Sequence, residues 1–517
     1  MFLGLDSSTQ SLTAILIDAD SGRIIHQLAV NFGNDLPHFG APSGFIPDGS
    51  AGEVHADPRM WLEALDLLFS RLSEAVDLSG VKMIAGSGQQ HGSVYLDATF
   101  DSRLAMLDVS QDLAAQISPA LTRATSPIWM DTSTGAECGE ITAALGGPEN
   151  VCGRSGSNAI ERFTGPQIRR FYKTDSSAYE CTDRIHLVSS FLASVLAGKS
   201  VPIDFGDGAG MNLLNLSKLG WDPDLMEATA PDLGKKLLPP AAATTVQGAI
   251  APYFVRKYGF SETCRTALFT GDNPASLVGM GATTPGNVVI SLGTSDTFFA
   301  AMPGPKTDPN GFGHVFGNPA GGFMSLICFR NGSLAREALR DKLGLDWAAF
   351  DREALAATRE SAGANLMLPF FGPEITPRHD FTGPVLAGSP AFETGAEPAL
   401  QVRALLEGQF LNMRLHSQWM EVKTERIRLT GGASKNDGIA QLVADIFQAP
   451  VERLDVSNSA ALGAALIAAA ADGRDLEALQ EVFCKATPGT ALLPDPALAG
   501  VYDGALGRFQ TLLDASR

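Results

Sequence analysis

Twice in this chain, about half its length apart, an apolar run meets a hydroxyl-rich turn and a second apolar run follows. Met1–Leu5 leads through Asp6-Ser7-Ser8-Thr9-Gln10 into Leu12–Ile17, and Val288–Leu292 leads through Gly293-Thr294-Ser295-Asp296 into Thr297–Met302. Each copy reads as strand, tight turn, strand, with backbone N–H groups and hydroxyls that can face an anion. The repetition predicts two lobes of one plan, and it suits a nucleotide phosphate chain gripped from both sides.

Length agrees with that division. A chain of 517 residues exceeds what one core organises, so two domains are expected, 1–283 and 284–517, with Gly281–Gly286 as the hinge. A net charge of −19 argues against partners that need dense Lys and Arg, namely nucleic acid and anionic membrane. It does not exclude small anions, because local N–H dipoles and Mg2+ outweigh distant charge. The six cysteines show neither C-x-x-C nor Cys/His spacing, which reads as reduced thiols in a cytoplasmic enzyme. No leader is expected, since the first apolar run is short and meets Asp6; Ala460–Ala471 is too short to span a membrane. Monomer and homodimer both remain open.

Along the chain, strands and helices alternate in an α/β pattern. A third strand is predicted near Ile24–Val30, a loop over 33–58 from its four prolines and five glycines, and a helix over Trp61–Val76 from its apolar spacing. Strands are predicted at Val81–Ala85, Ser126–Met130, Arg265–Thr270, Arg426–Leu429 and Val451–Leu454. Helices follow at Pro274–Met280, Ile439–Phe447 and Ser459–Ala471, two of them rich in small residues.

Several residues carry candidate chemistry. Asp6, beside an anion-binding turn, makes sense as an Mg2+ anchor or as a turn-former accepting from Ser8 or Thr9. Gly271-Asp272-Asn273-Pro274 ends a strand and opens a helix. Asp272 can take the proton of an attacking hydroxyl, or can merely cap that helix. His91, between Gly88-Gln89-Gln90 and Gly92, is a ring that can donate to a hydroxyl, or a structural histidine. Arg162 can bond a polyol or pair at the surface. Gly431-Gly432 can admit adenine close to the backbone, or simply make a strand-to-helix turn.

Taken in order, Gly4–Gln10, Gly88–Ser93, Gly271–Asn273, Ser291–Ser295 and Gly431–Asn436 resemble the FGGY family of carbohydrate kinases. The resemblance implies two RNase H-like domains of the actin, sugar kinase and chaperone ATPase superfamily, with an inter-lobe cleft. Within the family the chain is similar to the eukaryotic xylulose kinase branch, through Pro127–Asp131, Glu161–Gln167, Asp207–Leu214 and Thr270–Leu277. This implies ATP-dependent phosphorylation of D-xylulose at its C5 hydroxyl, with ATP and Mg2+ required. It also implies Asp272 as general base and Asp6 positioning Mg2+ and phosphate. His91, Arg162, Asp272 and Asn273 would contact the sugar. Ser8, Thr9, Gln10, Gly293, Thr294 and Ser295 would contact phosphates, and Trp347, Gly431, Gly432 and Asn436 the adenosine. Alternatives are a kinase for D-ribulose, a polyol or glycerol, a chaperone-like ATPase, and a sensor that binds sugar without turnover.

Overall fold

A computed structural model of the chain describes residues 1–356, 361–454 and 458–517. Two six-stranded mixed sheets organise them. The first contains β1 (Phe2–Ser7), β2 (Ser11–Asp18), β3 (Arg23–Asn31), β4 (Met83–Gly88), β5 (Val246–Ala249) and β6 (Arg265–Gly271), in the order β5-β6-β4-β1-β2-β3. The second contains β7 (Asn287–Leu292), β8 (Asp296–Met302), β9 (His314–Gly317), β10 (Phe323–Phe329), β11 (Arg426–Gly431) and β12 (Val451–Arg453), in the order β9-β10-β8-β7-β11-β12. The sequence repeat is a repeat of topology. In each sheet the leading hairpin strand, β1 or β7, pairs antiparallel with its successor and parallel with a much later strand, β4 or β11.

The first unit comprises Met1–Thr283, Val315–Phe323 and the helices Ser459–Ala471 and Leu476–Phe483. The second comprises Thr284–His314, Met324–Val456 and Lys485–Arg517. The two late helices thus group by their contacts with the first unit although they follow the 284 boundary in sequence, and the reason is packing. The central strand β1 is buried on both faces, as its continuous apolar run requires. One face takes the helix Pro58–Ala75, which buries Trp61, Leu62, Leu65, Leu68, Phe69 and Leu72 and starts on the Asp57 cap. The other takes Ser459–Ala471. A side chain at Gly4 would run into the Ala461 carbonyl, and one at Gly463 into the Ala275 carbonyl on the helix Asp272–Gly279. Small residues on three elements thus let backbones touch.

Two local expectations are corrected. The stretch 33–58 is not all loop: it contains the end of a short helix, Phe32–Asp35, a 3-10 turn, Pro37–Phe39, and a strand, His55–Ala56. The strand predicted at Ser126–Met130 shrinks to Ser126–Pro127, paired with His55–Ala56. Beyond it Asp131 N–H donates to the Ile128 carbonyl, and the chain turns. Among the described residues no helix is long and apolar enough to cross a membrane, and no disulfide links the six cysteines.

Candidate active site

In the first unit, register brings two acids to one end of the sheet. Along β4, Ser87 faces Asp6 of β1 on one side and Thr270 of β6 on the other, and Gly88 faces Ser7 and Gly271. Three parallel strands therefore finish level, with Asp6 near the end of one and Asp272 just past another. Asp6 Oδ1 accepts from Ser87 Oγ at 2.7 Å. Burial lifts the Asp6 carboxyl to about 6 against that hydrogen bond. Burial, and then the charge of Asp6, lifts Asp272 to about 7.

Asp272 is the first residue of the helix Asp272–Gly279, and Gly271 occupies the cap position without a side-chain bond. The helix-capping role is therefore not the one Asp272 plays. Its Oδ1 accepts from the Asn273 N–H at 2.8 Å and from Asn273 Nδ2 at 3.1 Å. Asn273 Nδ2 also donates to Gln90 Oε1 at 2.7 Å, which ties the acid to the His91 turn.

His91 is buried and left-handed, with φ 72°. Its Nδ1–H donates to the Gly210 carbonyl at 2.8 Å, and its ring stacks on Phe163 at 4.3 Å. Burial, with the charge of Arg162, pushes the imidazole down to about 3, so it stays neutral. With Nδ1 donating, Nε2 is an acceptor. The expected donor is therefore already used at Nδ1, and Nε2 is left with an acceptor lone pair. Arg162 lies over the Phe163 ring, its Cζ 5.6 Å from the centroid. The structure thus gathers Asp272, Asn273, His91 and Arg162 around Gln90 and Phe163.

Sequence reasoning passed over two further acids. Asp204 Oδ atoms accept from the N–H groups of Gly206 and Asp207, at 2.9 and 2.8 Å. Asp207 Oδ2 accepts from Ser189 Oγ at 2.5 Å, and burial with the Asp204 charge holds this carboxyl well above the usual range. Asp207 Oδ1, both amide atoms of Gln89 and Gln90 Nε2 are buried without a protein partner. Such atoms are rare in isolation and are what a polyhydroxylated ligand satisfies. The sequence signal was two acids in a glycine-rich run, the second of which opens the Asp207–Leu214 stretch that carries the resemblance.

The first hairpin turn is braced. Ser8 donates to the Ser11 carbonyl through both its N–H, at 2.9 Å, and its Oγ, at 3.0 Å. Ser8 therefore holds the turn, its hydroxyl proton committed within it. Thr9 Oγ1 accepts from Trp129 Nε1 at 2.9 Å. An indole N–H only donates, so the Thr9 proton is left for a ligand acceptor. Ser8, Thr9, Gln10, Phe45 and Trp129 line a cavity of about 430 Å³.

Asp6 fits Mg2+ by its chemistry. Among the described residues no three His, Cys, Asp or Glu converge as a metal cage. A lone carboxylate is nonetheless the usual protein share for an ion that keeps its waters and takes the rest from phosphate. The repulsion between Asp6 and Asp272 is of the kind that a cation relieves.

The second unit contains a cavity of about 530 Å³. Leu292, Gly293 and Thr294 of the hairpin form one side, Gly432, Ala433, Lys435 and Asn436 another, and Trp347 and Phe350 an aromatic wall. Trp347 is 44% exposed, and Arg340 lies over its ring at 4.5 Å. Asn436 Oδ1 caps the helix Asp437–Phe447, accepting from Gly438 and Ile439 N–H, so only its NH2 can address a ligand. Gly431 and Ser295 do not line the cavity. Gly431 has φ 92°, and a side chain there would strike the Leu292 carbonyl. Asp296 and Arg336, neither singled out as chemistry from sequence, form a buried pair beneath the turn, with Arg336 Nη2 at 2.9 Å from Asp296 Oδ1.

Repeated mixed sheets, two phosphate-type turns and a near-neutral acid beside unsatisfied polar atoms define a kinase of small hydroxylated substrates. The chain belongs to the FGGY family of carbohydrate kinases: residues 1–279 match the family's N-terminal domain and 288–471 its C-terminal domain. Xylulose kinase of Rattus norvegicus is 39% identical over 99% of this chain and 96% of its own length. Xylulose kinase 2 of Arabidopsis thaliana is 40% identical over 91% and 87%. The crystal structure of xylulose kinase from Rhodospirillum rubrum superposes with a TM-score of 0.82 over 99% of this chain and 98% of that one, at 21% identity, a likeness of fold.

Proposed function

We propose that this protein transfers the γ-phosphoryl group of ATP to the C5 hydroxyl of D-xylulose, giving D-xylulose 5-phosphate. The observation that carries the reading is Asp272, an acid at the end of the first sheet whose pKa stands at about 7. A general base works best when its pKa lies near ambient pH. The relatives named as xylulose kinases support the choice of sugar.

In this reading Asp272 takes the proton of the attacking hydroxyl, and Asn273 holds the carboxylate in place. His91 Nε2 accepts from a second hydroxyl, Arg162 donates to the sugar, and the Asp207 and Gln89 atoms without partners orient the rest. The second unit holds the nucleotide, adenine against Trp347 and the phosphates at Gly293 and Thr294. Asp6 would hold Mg2+, which neutralises phosphate charge when bound. Phosphoryl transfer asks mainly for positioning and charge neutralisation, and those are the tasks these side chains suit.

Incubation with ATP, Mg2+ and a panel of ketopentoses, polyols and glycerol tests the proposal, with ADP as readout. D-Xylulose should give the highest kcat/KM. Absence of sugar-dependent ADP contradicts the kinase reading, and preference for another acceptor contradicts the substrate.

A further inference from the structure

Building on the assignment of nucleotide to the second-unit cavity, we propose that Asp296 and Arg336 are positioning residues that fix the Gly293–Thr294 peptide with its N–H toward the nucleotide phosphates. The pair is two-pronged and dry: Arg336 Nη1 lies 3.0 Å from Asp296 Oδ2 and Nη2 2.9 Å from Oδ1, and the residues are 2% and 1% exposed. Its second task is at the turn. Arg336 Nη2 donates to the Gly293 carbonyl at 3.3 Å, and the Ser333 N–H donates to the same oxygen at 2.9 Å. The Gly293 N–H reaches the Asp296 carboxylate. Both ends of Gly293 are therefore held from beneath.

Planarity does the rest. In a trans peptide the C=O and the following N–H point in opposite directions. With the Gly293 carbonyl committed to Arg336 and Ser333, the Thr294 N–H points away from both, and Gly293, Thr294, Ser333 and Arg336 all line the cavity. A flipped peptide would offer a carbonyl oxygen, which repels phosphate. The approach is close: a Cβ at Gly332 would sit 2.8 Å from the Thr294 carbonyl oxygen and 2.7 Å from Asp296 Oδ1. Gln409 completes the brace, accepting from Arg336 Nη1 at 3.0 Å and donating to the Asn331 and Gly332 carbonyls at 2.6 and 3.0 Å. Arg336 itself lines the cavity, with its charge matched by Asp296 and its Nη2 on the Gly293 carbonyl.

The test compares binding of ADP and of adenosine by calorimetry in the wild type, R336Q and R336K, with thermal melting as a check on folding. Adenosine reports the aromatic wall, whereas ADP also reports the turn. In R336Q, ADP affinity should fall about 10-fold or more, the size of a few lost charge-assisted contacts, while adenosine affinity stays within about 2-fold. The kcat should fall while the KM for sugar holds, and R336K, which cannot bridge both Asp296 oxygens and Gly293, should fall between. An unchanged ratio of ADP to adenosine affinity, or equal loss of both, overturns the proposal; R336K decides by the same ratio if R336Q does not fold. A wild type that binds neither ligand overturns the cavity assignment and this proposal with it.

Discussion

His91 combines a left-handed backbone, a ring pinned by the Gly210 carbonyl and a pKa held near 3, so at neutral pH it can only accept through Nε2. His91→Ala should raise the KM for sugar about 10- to 100-fold, the cost of one buried hydrogen bond, with the KM for ATP unchanged. Steady-state kinetics check this, and equal loss of both would make the histidine structural. Trp347→Ala should weaken ATP binding about 10-fold, as loss of a base-stacking aromatic does, with sugar binding intact. Asp272 gives a pH prediction. Its folded pKa of about 7 lies above the ordinary 3.8, so the folded state holds the proton more tightly. Stability from this group is full below about 4 and is lost as pH rises through about 7. Urea unfolding of the metal-free protein should therefore show wild type losing stability relative to Asp272→Asn between pH 5 and 8. A difference independent of pH would contradict the shifted pKa.

At the level of elements, the hairpins were legible because apolar runs flank turns too polar to bury, and β1, β2, β7 and β8 stand where the runs predicted. The helix Ser459–Ala471 was legible as a helix but not as part of the first unit. Small residues announce close packing without naming the partner, and the partners, Gly4 and the helix Asp272–Gly279, lie far away in sequence. The Asp296–Arg336 pair was invisible for the same reason, since forty residues of chain separate two ordinary-looking charges. Gly463→Ala tests the crossing. Its new Cβ meets backbone, which cannot rotate away, so stability should drop by about 1–3 kcal/mol in denaturant titration. No loss would show that the two helices have room to separate.

For the whole molecule, the proposed division of labour puts hydroxyl chemistry and Asp272 in the first unit and nucleotide recognition in the second. Family membership was legible because its motifs fall at the ends of strands, where side chains leave the sheet. The direction of the His91 hydrogen bond was not, because it depends on a carbonyl 119 residues away. The most direct measurement is single-turnover phosphorylation by Asp272→Asn, beside calorimetric titration with D-xylulose and with ADP. The account predicts binding of both ligands within about 3-fold of wild type and a transfer rate at least about 100-fold lower. Transfer near the wild-type rate would contradict it, because the proton would then leave by another group.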